Sequence, residues 1–479
     1  MSLVTLLTNK LAEYHLLTGS KCLTVAYSGG VDSHVLLHLC SELRHAYPQL
    51  ELKAIHVNHG ISDNADDWQQ HCVSVCAGLN IPLLVKKVRV EKTSRQSLEA
   101  LAREERYQAF QQTLTEKEVL LLGQHQQDQA ETLLLQLKRG AGPKGLSAMP
   151  EWGLLPWNAA SSNIHCLRPL LQVDKSQILE YAKLHGLQWV EDESNTDTQY
   201  DRNFLRQQVL PLLEQRWQGF SAALGRSARL CAEQQALLDE QADEFIGDLG
   251  SKANALNIEA LLSHSLAWQK QILRRWISVL SQQNTDLAMP SEKQLQHIIA
   301  DVLSAADDAN PVVVAGEWQY RRYQGHLYLL PVFQDLKHIE LHWTSSENES
   351  EPLQLPDGLG HYYLSTARPD IEQATYLPLV NPDAHKICVR FSGFGIRFKL
   401  RHHSMSKPLK QWFKEEWKLP PWERERLPLL FVDEQLVAVG NRWIAHDDVF
   451  ASLNHLDVSE SQVADRNKGG IWFYWQSFA

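Results

Sequence analysis

Short apolar runs rich in β-formers, Cys22–Tyr27, Leu52–Val57, Leu83–Val90 and Val119–Leu122, alternate with stretches whose apolar residues recur at helical spacing. The helical stretches cover roughly Val31–Ala46, Asp66–Leu79, Ser97–Thr115 and Asp128–Lys138. This alternation predicts an α/β fold: a Rossmann-like parallel sheet with helices on both faces, over residues 1–217. From Phe220 to about Ala306 the pattern is helical, and Pro311–Leu330 reads as a hairpin with Trp318 and Tyr320 alternating. Residues 218–343 are therefore expected to form a mainly helical second domain. The acidic, Ser-rich stretch Thr344–Glu351 is the best linker, and residues 353–479 read as a small mixed α/β domain.

At 479 residues the chain exceeds what one core supports. The N-terminal segment lacks a signal-peptide core and no apolar run is long enough to span a bilayer, so no membrane association is expected. Seven cysteines without a C-x-x-C pair indicate a reducing compartment, hence the cytoplasm. A net charge of −11 argues against a uniformly basic nucleic-acid binder and directs attention to local charge. Lys386 through Lys414 contains no acid and interleaves Arg390, Arg397, Lys399, Arg401, Lys407 and Lys410 with Phe391, Phe394, Phe398, Trp412 and Phe413. Such a stretch suits an RNA-contacting surface, or equally a solvated face over an aromatic core.

The most specific chemistry lies at Ser28-Gly29-Gly30-Val31-Asp32-Ser33, between the first strand and the first helix of the sheet. Amides at a helix start bind anions, glycines let a phosphate approach, and the two serines add donors. Asp32 is the carboxylate placed to hold Mg²⁺ beside phosphates. No G-x-x-x-x-G-K-[ST] loop exists, and Gly140–Gly145 follows a helix and contains Pro143, which excludes a dinucleotide fingerprint. The hexapeptide resembles the pyrophosphate loop of the ATP pyrophosphatases, which split ATP into AMP and pyrophosphate. His56 and His59 follow the second strand. Arg103 and Arg106 share a helix face, suited to a phosphate or to an ion pair of Arg103 with Glu99. Asp128 and Glu131 share another, suited to a cationic amine or to the helix dipole. The polar loop Glu191–Asp197 leads into Tyr200, Arg202, Asn203 and Arg206.

Together these segments resemble one family, the tRNA(Ile)-lysidine synthases. The resemblance rests on SGGVDS (28–33), HVNHG (56–60), ALAREERY (100–107), QHQQDQAET (124–132), LKRGAGPKGL (137–146), RPLL (168–171), EDESNTDTQYDRNFLR (191–206) and the 399–431 segment. It implies joining of L-lysine to C2 of the wobble cytidine of a CAU-anticodon tRNA(Ile), through an adenylated base, with ATP and Mg²⁺. It further implies that residues 28–33, His56, His59 and Arg106 bind ATP and that Asp32 carries Mg²⁺. Asp32, Arg103 and Asp128 would be catalytic, and Asp128, Glu131 and Arg202 would bind lysine. Lys138, Arg139, Arg397, Lys399, Arg401, Lys407, Lys410 and Lys414 would meet tRNA, and a homodimer is allowed. The family usually carries two aspartates where this chain has Gln127-Asp128, so the acidic role falls to Asp128. The rival readings are a tRNA-thiolating enzyme, which the missing C-x-x-C disfavours, a small-molecule amidating synthetase, and an RNA-binding module with an inactive nucleotide domain.

Overall fold

Six strands build the sheet that carries the glycine-rich loop: β1 (Cys22–Ala26), β2 (Leu52–Asn58), β3 (Leu83–Lys87), β4 (Glu118–Leu121), β5 (Trp152–Leu154) and β6 (His165–Leu167). Their order in the computed structural model is β3-β2-β1-β4-β6-β5, all parallel except the edge strand β5. The structure describes residues 2–18, 21–89, 98–155, 163–248, 254–284, 286–306, 309–344, 352–367, 374–379, 382–400, 403, 405–454 and 471–476. Parallel strands need both faces covered, and the helices supply this. On one face α1 (Leu3–Glu13), α2 (Val31–Ala46) and α3 (Ala65–Gly78) bury Leu7, Leu11, Val35, Leu39, Cys72 and Cys76. On the other, Tyr107 and Phe110 of α4 (Leu98–Thr113) pack on Ile55 and Leu120. Strand order reverses between β1 and β4, which opens a crevice at their carboxyl ends.

Next come α5 (Gln126–Lys138), α6 (Pro143–Leu146) and α7 (Lys175–Leu184), the last returning to the first face through Ile178 and Ala182. The polar loop runs into α8 (Asp201–Phe204), a π-helical turn Leu205–Val209 and α9 (Leu210–Arg216). Cα packing divides the chain into two compact units, residues 1–330 and 331–479. The first unit also holds the long helix α10 (Phe220–Asp248) and shorter helices at Ile258–Leu262, Leu266–Leu280 and Glu292–His297.

Two expectations for this region change. Residues 255–257 form a strand inside the span read as helical, because they pair with His326–Tyr328. The stretch read as one hairpin is a three-strand meander, Val312–Ala315, Trp318–Tyr323 and His326–Pro331. Its second turn uses Gln324 and Gly325 at positive φ (44° and 72°), a conformation one polar–glycine pair supplies without a longer turn signature.

The second unit has a five-stranded antiparallel sheet, in order Glu340–Trp343, Ile387–Arg390, Leu429–Val432, Gln435–Val439 and Trp443–Ile444, and a four-stranded sheet containing His361–Ser365 and Ile471–Gln476. The aromatics of the basic window belong to this unit's interior. Phe391, Trp412 and Phe413 are fully buried, and Phe394 and Phe398 pack against the core. The aromatics of this window are therefore core residues. Among the described residues no helix is long and apolar enough to cross a membrane.

Candidate active site

The loop after β1 turns through Gly29 at φ +94°, where a side chain would be strained. It would also collide: a Cβ there would stand 2.7 Å from Val190 Cγ2 and 3.2 Å from Cys72 Sγ. The same residue's carbonyl accepts a 3.0 Å hydrogen bond from the Val190 amide. Ser33 Oγ ties the loop together, donating to Gly30 O at 3.0 Å and accepting from the Ser28 amide at 3.2 Å. Gly123, just after β4, lies against the start of α2. A Cβ on it would be 3.1 Å from the backbone C and O of Asp32 and the N of Ser33. Two close backbone approaches thus bring three loops together at the crevice.

A cavity of about 510 Å³ opens there, lined by Ser28, Gly30, Asp32, Ser33, His56, His59, Arg103, Arg106, Asp128, Tyr200 and Arg202, among others. That size suits a nucleotide-scale ligand. Gly29, Val31 and Glu131 are not on its wall, nor are Lys138 and Arg139, which lie exposed at the far end of α5. Gln127 is also off the wall while Asp128 is on it, so the residue that departs from the family pattern is not the one facing the cavity.

Two histidines border the crevice on the β2 side. His56 Nδ1 lies 2.9 Å from Tyr27 O, and Arg106 Nε donates to His59 Nε2 at 3.3 Å. Burial, then the adjacent Arg106, pushes His59 down to about 4, so its neutral ring accepts that bond. Arg103 donates to Tyr107 Oη at 3.2 Å and lies over the same ring. The expected Glu99–Arg103 pair lies outside the described side chains.

Across the crevice runs a chain of alternating charges. Lys175 Nζ is 2.5 Å from Asp32 Oδ1. His125 Nε2 stands 3.6 Å from Asp32 and 3.5 Å from Asp128. Asp128 accepts from the His125 amide at 3.1 Å and from Arg206 Nη2 at 3.0 Å. Arg206 then holds Glu131 with two bonds of 2.7 and 2.9 Å, and Arg202 Nε approaches the same carboxylate at 3.2 Å. Burial alone would raise the Asp32 carboxyl, but the His125 hydrogen bond and charge and then Lys175 hold it down at about 2. Burial likewise opposes the charged form of His125, yet the two aspartates raise it. Glu131 is pushed up by complete burial against the pull of Arg206.

The site thus gathers Asp32, Asp128, Glu131 and Arg202, but turns Glu131 toward two guanidiniums instead of the cavity. Three participants were not assigned from sequence. His125 and Arg206 lay inside recognised segments without a role, and Lys175, in an ordinary helix start, gave no signal.

A parallel sheet with a glycine-rich loop at its switch point, an ionised aspartate in the first turn of α2 and arginines opposite define a PP-loop ATP-binding domain. Residues 4–213 match the PP-loop domain family. Residues 256–328 match the TilS substrate binding domain and 387–456 the TilS substrate C-terminal domain. The tRNA(Ile)-lysidine synthase of Serratia proteamaculans is 45% identical over 87% of this chain and 90% of that protein, and that of Edwardsiella ictaluri is 43% identical over 88% and 91%. The chain belongs to the tRNA(Ile)-lysidine synthase family. Among solved structures, the U34-tRNA thiolase NcsA from Methanococcus maripaludis aligns at a TM-score of 0.40 and 18% identity, over 48% of this chain and 78% of that one.

Proposed function

We propose that this chain joins L-lysine to C2 of the wobble cytidine of a CAU-anticodon tRNA(Ile), at the expense of ATP. The observation that carries this is the run of charged side chains from Lys175 to Arg202, which connects the phosphate loop to a pocket suited to a zwitterion. In the first step the cytosine O2–Pα bond forms and the Pα–O bond to the β-phosphate breaks, its electron pair leaving with pyrophosphate. Residues 28–33 hold the phosphates, and Arg103 and Arg106 face the charge developing at Pα. In the second step the neutral side-chain amine of lysine forms the N–C2 bond, the C2–O2 bond breaks with its electron pair leaving on AMP, and the nitrogen gives up one proton to solvent. Asp128 receives the ammonium and Arg202 the carboxylate. Glu131 acts from beneath by fixing both guanidiniums, and it contacts lysine only if they shift.

Mg²⁺ fits Asp32. The carboxylate is ionised, lines the cavity and needs only phosphate oxygens and water to complete a coordination shell. When bound, the ion neutralises phosphate charge.

On the second unit Arg397, Lys399, Lys410 and Lys414 are exposed and support the tRNA-binding reading. Lys407 is paired with Glu415 at 2.6 Å, and Lys386 and Arg390 are neutralised by Glu340 and Glu434. Arg401 lies outside the described residues. Lys138 is paired with Asp201 at 2.7 Å and would exchange that partner for phosphate. A cytoplasmic enzyme, as a monomer or homodimer, fits this reading.

The test is ATP-dependent incorporation of labelled L-lysine into a CAU-anticodon tRNA(Ile) transcript, with elongator methionine tRNA as control. Label in the isoleucine transcript alone is expected. Pyrophosphate release without lysine transfer would overturn the choice of nucleophile.

A further inference from the structure

The two acids that an incoming ammonium needs already hold a cation. Arg206 Nε and Nη2 donate to the two oxygens of Glu131 at 2.7 and 2.9 Å, and Nη2 also reaches Asp128 Oδ1 at 3.0 Å. The remaining oxygen, Asp128 Oδ2, accepts from the His125 amide at 3.1 Å. Arg206 lies on the cavity wall and Glu131 does not, so the guanidinium covers the buried carboxylate on the side a substrate enters. A guanidinium and an ammonium cannot share these oxygens without meeting as like charges at close range.

The segment that carries Arg206 is lightly held. Neither α8 nor the π-helical turn after it contains a fully buried residue. Segments with few buried contacts open at the lowest cost, and π-helical turns are rare and recur at functional sites. Polar contacts hold this segment on α5. Besides the Arg206 bonds, Arg202 Nη2 donates to Thr132 Oγ1 at 3.0 Å, and Lys138 Nζ donates to both oxygens of Asp201 at 2.9 and 2.7 Å. The Lys138–Asp201 pair fastens the first residue of α8 to the last of α5, and both side chains are exposed. Such a pair is weak enough for a phosphate to displace.

We infer that Arg206 gates the amine site: its guanidinium competes with lysine for Asp128 and Glu131, and it withdraws when an RNA phosphate takes Lys138 from Asp201 and frees α8. The inference rests on the lysine reading above. Once α8 is released, lysine's ammonium takes over the contacts that Arg206 gives up. Lysine is thereby admitted after the RNA is in place, and the two substrates bind with positive coupling.

Equilibrium binding of labelled L-lysine to the full-length protein tests it, with and without CAU-anticodon tRNA(Ile) and in the absence of ATP so that no transfer follows. The RNA is expected to tighten lysine binding about fivefold or more, and equal affinity in the two conditions overturns the inference. Arg206→Gln removes the competing charge and should tighten lysine binding without RNA roughly ten- to hundredfold. Arg206→Lys, which keeps a cation beside the acids, should stay near wild type. Folded Arg206→Gln that binds lysine no more tightly than wild type also overturns it. Should the Gln variant melt early, Asp201→Asn, at an exposed position, replaces it. Unfastening α8 in this way should tighten lysine binding without RNA about two- to fivefold and shrink the effect of RNA by the same factor, and no change overturns the inference. Wild-type protein that binds lysine in neither condition would remove the lysine reading and the inference with it.

Discussion

Replacing Gly123 by Ala adds one methyl group at the point where the loop after β4 meets the first turn of α2. Carbon atoms in contact prefer separations of about 3.5–4.0 Å, and the new Cβ would stand 3.1 Å from three backbone atoms of Asp32 and Ser33. None of these can swing aside as a side-chain tip would. The loop and the helix must therefore part by a few tenths of an ångström. Overpacking of this kind costs about 1–3 kcal/mol, partly offset by about 0.4–1 kcal/mol from the stiffer unfolded chain. A net loss of about 1–2 kcal/mol is expected. A catalytic loss should accompany it, because His125 rides on the loop and Asp32 on the helix, 3.6 Å apart. If 1 Å of misplacement costs about a hundredfold, a third of that costs roughly fivefold. Steady-state pyrophosphate release with saturating tRNA, together with calorimetric melting, measures both. Gly225→Ala is the control: it lies inside α10 with open space around its Cβ and should be neutral or stabilising. A Gly123→Ala protein that melts no lower than wild type and releases pyrophosphate within twofold of it would refute the steric argument.

Arg206→Ala leaves the fully buried Glu131 with Arg202 alone. Breaking a buried pair costs about 3–5 kcal/mol, so about 2 kcal/mol is expected with one partner retained, and Glu131→Gln added to it should recover most of the loss in calorimetry. In the second unit, Arg390 and then Lys386 hold the Glu340 carboxyl at about 2. Its folded value is depressed, so the stabilisation is present above the unfolded value near 4.5 and disappears as pH falls through 2. Solvent screening limits it to about 0.5–1 kcal/mol. The difference in melting between wild type and Glu340→Gln should be visible at pH 6 and vanish near pH 2. Reversing Lys399, Lys410 and Lys414 to Glu should weaken tRNA binding at least tenfold in filter binding and flatten its salt dependence, with ATP affinity unchanged.

The α/β half was legible because strand and helix periods differ and because SGGVDS sits at their junction. Cys22, Leu52 and Leu83 mark where the first three strands begin in the fold as in the pattern. The strand at Ala255–Asn257 was not legible: three residues carry no period, and only pairing with His326–Tyr328 makes them a strand. At the site, residue types that recognise phosphate announced themselves. Lys175 did not, since a lysine at a helix start looks like any surface lysine until α7 folds back beside α2. The orientation of Glu131 was hidden for a related reason. Spacing places it on the face of Asp128, but only the packing of α8 and the π-helical turn against α5 decides which acid meets the cavity and which meets Arg206.

The contact of Gly29 with Val190 has a consequence for anyone redesigning this enzyme. The segment beginning at Glu191, which brings Asp192, Tyr200 and Arg202 to the cavity wall, is fastened to the phosphate loop by the Val190 amide and by a space only glycine leaves open. It is therefore not an interchangeable cassette. A graft that imports another nucleophile specificity must begin at or before Val190 and keep a side chain of its bulk there. Cut two residues later, the transplanted loop would lose its register on the phosphate grip, and a correct set of recognition residues would be delivered to the wrong place.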